Sequence, residues 1–171
     1  SLQLQFKGAY GPSTFDSNLL ETGPTSGGSA KEKLERIVLR GGNNRSWARD
    51  WNPDRTTYTE DEFYRSSQIA MSGVGSHGAF VHLYINGLYW GLFNAAERPS
   101  APYCADHFGG DKSEWDALNS SEAIDGNKTA WNTLQAIANA GITNEAAYQA
   151  IQQYLNVTNF VDYMLVNFYG G

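Results

Sequence analysis

The chain has 171 residues and a formal charge of −6 at pH 7, long enough for one domain with a real buried core. It has no basic stripe to displace counterions from phosphates, which argues against a nucleic-acid role, and no apolar run that could cross a bilayer. The abundance of aromatics, 5 Trp, 10 Tyr and 8 Phe, marks a globular chain rather than a disordered one. The lone Cys104 cannot form an internal disulfide, so cysteine usage gives no compartment. It reads as a partly buried thiol.

Residues 1–7, SLQLQFK, already alternate as a strand with Leu2, Leu4 and Phe6 on one face. There is neither a signal peptide nor an initiator methionine, and the chain looks cut at its front. From Asp16 to Ser29 the composition of Ser, Thr, Gly, Pro and Asn predicts an exposed loop without regular structure. Leu34 to Arg40 is strand-like, with Ile37 and Leu39 on one face. The following Gly41-Gly42-Asn43-Asn44 could cradle a phosphate through backbone N–H groups, but it lacks the spacing of the P-loop and of the dinucleotide fingerprint. Ser46 to Arg55 reads as an irregular loop anchored by Trp47 and Trp51. Thr59 and Glu62 have the spacing of a capping box at the start of a helix from about Glu60 to Met71, with Phe63, Ser67, Ala70 and Met71 on one face. Gly73, Gly75 and Gly78 end it. His77 and His82 have no partner at metal-binding spacing and read as satisfied or solvent-exposed side chains.

The most structured stretch is Phe80 to Pro99, FVHLYINGLYWGLFNAAERP. Val81, Leu83 and Ile85 alternate with His82, Tyr84 and Asn86, the pattern of a strand with one buried face. Asn86-Gly87 suits the positive φ angles of a type I′ turn, and a second, aromatic-rich strand follows. Trp90 or Phe93 should face the core. Glu97-Arg98-Pro99 ends the strand, since proline cannot donate to a ladder; on spacing alone the charged pair reads as an exposed ion pair. Beyond it, Ala101 to Phe108 predicts a short helix stopped by Gly109-Gly110, and Asp111 to Leu118 holds an acidic cluster of the kind that is usually solvated. Asn119 to Asn127 reads as a polar turn region, and helices are expected over Thr129 to Ala140, from near Thr143 or Asn144, and after a cap at Asn156 or Thr158. The order is α+β: strands with one helix in the first hundred residues, then helices only. The last helix, with Phe160, Val161, Tyr163, Met164, Leu165, Val166 and Phe168, exceeds one apolar stripe, and self-association through it is expected.

These residues resemble the spore coat protein H-like (CotH) family of atypical protein kinases. The resemblance is carried by FKGAYGPS at Phe6 to Ser13, IVLRGG at Ile37 to Gly42, DEFYRSSQIAM at Asp61 to Met71, HLYINGLYWGLFNAAERP at His82 to Pro99, and FVDYMLVNFYGG at Phe160 to Gly171, and covers nearly the whole chain. It implies a protein-kinase-like fold, with residues 1–99 as an N-lobe of β-sheet and one helix and residues 100–171 as an incomplete helical C-lobe. It implies ATP and Mg²⁺ as cofactors, a protein substrate and a place at the cell or spore surface. Glu62 would be the acid of the regulatory helix, paired with a base that grips the phosphates; Lys7 and Arg40 are both candidates, and a strand before Ser1 is the alternative source of that base. Residues 95–98, with Glu97 and Arg98, would form the hinge that meets adenine. The family's catalytic and metal-binding aspartates would fall after Gly171, so the resemblance implies a truncated, inactive piece with no catalytic or metal ligand of its own. Asp162 sits inside the last helix and does not take the missing role. The alternatives are a non-catalytic binding or structural domain on the same fold and, prompted by Trp47 and Trp51, a carbohydrate-binding module.

Overall fold

Asn86 and Gly87 take φ angles of 52° and 81°, and around this turn the chain folds back as β5 (Gly78–Ile85) and β6 (Leu88–Glu97). The hairpin is the spine of the structure, a computed structural model that describes residues 1–16, 18–22, 33–51 and 53–170. Its ladder runs from Gly78 opposite Ala96 to Ile85 opposite Leu88, with a bulge between Leu83 and Tyr84 that lets Tyr84 face Tyr89. A Cβ on Gly87 would meet nothing within 4 Å, so the demand at this position is on the backbone alone. Replacing Gly87 by Val should therefore cost about 1–2 kcal/mol, read as a lower melting temperature; an unchanged melting temperature would contradict the turn.

Two further strands extend the hairpin, while β2 (Phe15–Asp16) and β3 (Lys33–Leu34) pair with each other in a separate short antiparallel ribbon. β4 (Arg36–Arg40) pairs antiparallel with β6, and β1 (Leu2–Gln5) pairs antiparallel with β4, giving the sheet order β1-β4-β6-β5. Period-2 alternation puts Ile37 and Leu39 of β4 and Ala79 and Ala95 of the hairpin on one face, where they form a core with Leu20 and Leu34. Val81, Leu83 and Phe93 pack against that core while Trp90 is exposed, which settles the choice between Trp90 and Phe93. Leu2 and Leu4, on the sheet edge, stay partly exposed.

Three expectations need correction in this region. Leu20 belongs to a short 3₁₀ turn, Leu19–Thr22, and is buried in the core, although its Ser, Gly and Pro surroundings read as an irregular loop; the rest of that expected loop, residues 23–29, lies outside the described residues. Trp47 and Trp51 do not anchor their loop in the core: both are exposed, Trp47 stacked on Tyr58 and Trp51 under Arg49. The helix α1 (Glu60–Ser72) is present, but Thr59 has helical backbone angles and its side chain makes no cap bond. Glu62 is instead turned inward and buried, and Phe63 and Met71 are exposed, so the apolar face read from spacing is the outer one.

The described chain separates into two compact units, Ser1–Arg98 and Pro99–Gly171. The second holds α2 (Ala101–Phe108), α3 (Thr129–Ala140), α4 (Glu145–Gln152) and α5 (Val157–Gly170). Side-chain caps start two of these helices: Asn144 accepts from Ala147 N–H at 2.9 Å and Asn156 from Asn159 N–H at 3.0 Å. The expected helices-only plan fails here. β7 (Ala117–Asn119) and β8 (Glu122–Asp125) form a second antiparallel hairpin. Asp125 then accepts from the first N–H of α2 at 3.1 Å, tying the hairpin to the helix start. Asp111, at the head of the acidic cluster, closes a capping box with Glu114, and hydrogen bonds from the Ser113 hydroxyl and then its N–H hold its carboxyl below the ordinary value. None of the described helices is long and apolar enough to cross a membrane.

Candidate functional site

α1 lies on the sheet face opposite the core, and the contact between them is a chain of charges rather than an apolar seam. Glu62 is 4% exposed, a burial that a carboxylate tolerates only when paired and hydrogen-bonded. Its Oε2 accepts from Arg65 Nη2 at 2.6 Å and from Asn94 Nδ2 at 2.8 Å. Arg65 also donates to Asn94 Oδ1 and, through Nη1, to Asp61 at 3.0 Å. Asp61 in turn pairs with Nε of Arg40, at the end of β4. The series Arg40, Asp61, Arg65, Glu62, Asn94 thus runs unbroken from one strand, through about one turn of α1, to the neighbouring strand. Gly78 makes room for it, since a Cβ there would lie 2.6 Å from Glu62 Oε2 and 2.8 Å from Arg65 Nη2.

At the Arg40 end of this series of charges is a cavity of about 310 Å³ lined by Ser1, Arg40, Gly42, Asn43, Arg45, Glu60, Asp61 and Tyr64. That is near the lower end of the range for small-molecule sites, roughly 300–1,000 Å³. Gly42 shapes its wall. Its φ is 82° and a Cβ would come within 2.8 Å of the Tyr58 ring, so both the backbone and the space demand glycine. Arg45 pairs with Glu60 at 3.2 Å. The cavity therefore offers two half-exposed guanidinium groups, each already met by an acid from the first turn of α1, a donor set that suits an anionic group carrying its own counter-cation.

The other predicted residues lie elsewhere in the first unit. Glu97 is buried against His77: its Oε2 accepts from His77 N–H at 2.9 Å and lies 2.9 Å from His77 Nδ1. Its own N–H donates to His77 O at 3.0 Å, so the backbone donor that a hinge would present at this residue is already used. Arg98 is half-buried, the last residue of the unit. Lys7 is exposed in the turn after β1. Of the two candidate bases, Arg40 is the one joined to α1, and it is joined through Asp61. Sequence reading missed Asp61, Arg65 and Asn94. Their signal was present in the spacing of Asp61 and Glu62 to Arg65 at i,i+4 and i,i+3, and in Asn94 standing alone among the apolar residues of β6.

A family model described as CotH kinase protein matches residues 61–170. The match takes in α1, the hairpin and the second unit; it does not reach Lys7, Arg40 or the other early stretches in which a resemblance was expected. No curated protein and no solved structure matches the chain.

Proposed function

The chain belongs to the CotH kinase protein family, and from that premise we propose that it is a piece of an ATP-dependent protein kinase whose nucleotide phosphates are met by Arg40. The observation that carries this reading is the charge chain from Arg40 through Asp61 and Arg65 to buried Glu62. In kinases a base on the sheet is positioned by an acid on the regulatory helix; here Asp61 takes the direct contact, and Glu62 fixes the helix through Arg65 and Asn94. Mg²⁺ would accompany the nucleotide, and a protein would be the phosphoryl acceptor. Glu97 and Arg98 stand at the strand end where adenine would be met; with the Glu97 side chain given to His77, its role is to hold the strand end in place. Lys7 is left aside. The catalytic and metal-holding aspartates are not assigned to any of these 171 residues.

Mg-ATP at a hundredfold excess over its dissociation constant should stabilise the protein by about 2.7 kcal/mol, without transfer of labelled phosphate to itself or to a model substrate. Arg40→Ala, at a half-exposed side chain, should fold normally and lose that stabilisation. An equal response in the variant would refute the assignment of Arg40. Absence of any response in the wild-type chain would favour the alternative, a non-catalytic binding or structural domain at a cell or spore surface.

We also propose that the chain self-associates through α5. Phe160, Val161, Tyr163, Leu165, Phe168 and Tyr169 of this helix are all exposed, an apolar surface that monomers seldom leave open. Light scattering over a concentration series should show reversible dimers that Phe168→Asp dissociates; a monomer at every concentration would contradict it.

A further inference from the structure

The sheet face that carries α1 continues past the helix as an open strip of aromatic rings. On β5, Phe80, His82 and Tyr84 fall at alternate positions on this face, opposite the core-facing Val81 and Leu83. Across the hairpin Tyr89 meets Tyr84, ring centroids 5.3 Å apart, and its hydroxyl lies 3.1 Å from His82 Nδ1. From the loop before α1, Tyr58 approaches Phe80 at 6.0 Å and stacks on Trp47 at 5.1 Å. Trp47, Tyr84 and Tyr89 are 62%, 61% and 55% exposed, far more than rings kept for packing would be.

The strip is held in shape at a cost. Tyr58 has a φ of 60°, an outlier for a bulky side chain. Its hydroxyl donates to the Leu92 carbonyl, and its ring fills the space that a side chain at Gly42 would take. Strained residues of this kind persist where the surroundings force them, and they cluster at ligand clamps.

We propose that this strip, from Trp47 across Tyr58 and Phe80 to His82, Tyr89 and Tyr84, binds a neutral oligosaccharide. The chemistry favours that occupant. None of these side chains carries a carboxylate, ammonium or guanidinium group, and burial, followed by the neighbouring Tyr89, pushes the Tyr58 hydroxyl above its ordinary value. Every ring but Phe80 has a polar tip, so the apolar C–H face of a sugar can stack while its hydroxyls find phenol, imidazole or indole partners. Single-stranded nucleic acid also stacks on aromatic rings but needs a positively charged groove, and the six side chains of the strip include no Lys or Arg. Proline-rich peptides dock into aromatic-lined grooves, whereas these rings stand on an open sheet face.

The full 171-residue chain would be titrated, without nucleotide, against cellohexaose, mannohexaose and N-acetylchitohexaose, with a polyuronic hexasaccharide and a proline-rich peptide as comparisons. Saturable binding of at least one neutral hexasaccharide is expected. The double variant Tyr84→Ala/Tyr89→Ala, at two exposed positions, should weaken it by about tenfold or more with an unchanged circular dichroism spectrum, and Trp47→Ala should weaken it independently. No binding by any neutral probe, binding unaffected by both variants, or binding confined to the anionic sugar or the peptide would each overturn the proposal.

Discussion

Replacing Arg65 by Met is expected to destabilise the first unit by about 3–5 kcal/mol, because it removes the guanidinium that meets the buried Glu62 carboxylate. The geometry behind this figure is the 2.6 Å contact between Arg65 Nη2 and Glu62 Oε2, with the Arg65 side chain 14% and the Glu62 side chain 5% exposed. An exposed pair at the same spacing would contribute well under about 1 kcal/mol; burial makes the difference. The double variant Glu62→Met/Arg65→Met should recover much of the loss, since both buried charges leave together; Asn94 and Ser66 each lose a partner, and Asp61 keeps Arg40. Urea denaturation at neutral pH followed by tryptophan fluorescence would measure both. A loss below about 1 kcal/mol in the single variant, or a double variant no better than the single, would mean that Glu62 is not held as described.

Glu97→Ala should produce the second large effect. His77 and Glu97 are 2% and 3% exposed, and one carboxylate oxygen serves both the His77 backbone N–H and its Nδ1. Deleting that acceptor costs about 1–3 kcal/mol for each buried group deprived of it. Glu97→Gln keeps one side-chain oxygen and should lose less. The His77–Glu97 pair joins the start of β5 to the end of β6, so the damage should reach the sheet: amide exchange at Gly78 and Ala96, which face each other in the ladder, should quicken. A Glu97→Ala variant within about 0.5 kcal/mol of the parent would place this side chain at the surface.

The parts of the fold that were legible in the sequence are those where apolar periodicity and turn chemistry agree. The β5–β6 hairpin combines strict alternation with Asn86-Gly87, and β4 shows its buried Ile37 and Leu39 in the same way. α1 was legible in its limits but not in its orientation. Its inner face is built from Glu62, Arg65 and Ser66, and a rule that looks for apolar residues points to the opposite side, at Phe63 and Met71. The capping-box spacing of Thr59 and Glu62 misled for a related reason: the same carboxylate has a stronger use inside. The β7–β8 hairpin was hidden because its turn places Ser120 and Ser121 at φ angles of 51° and 68°, a conformation normally announced by asparagine or glycine, and because its strands are only 3 and 4 residues long. For the candidate site, Glu62 and Arg40 could be named from the resemblance. Their connection through Asp61, Arg65 and Asn94 needed coordinates, since Asn94 lies 32 positions from Glu62.

A nucleotide that meets the first unit beside Arg40 and α1 would change the surroundings of the backbone amides there. Titrating the isotope-labelled chain with Mg-ATP while recording backbone amide shifts would locate that contact residue by residue. Saturable shifts with one common affinity are expected at residues 40–45, at the start of α1 from Glu60 to Arg65, and at the strand end from Ala95 to Arg98. A spectrum that does not change, or shifts confined to the unit from Pro99 to Gly171, would contradict that contact.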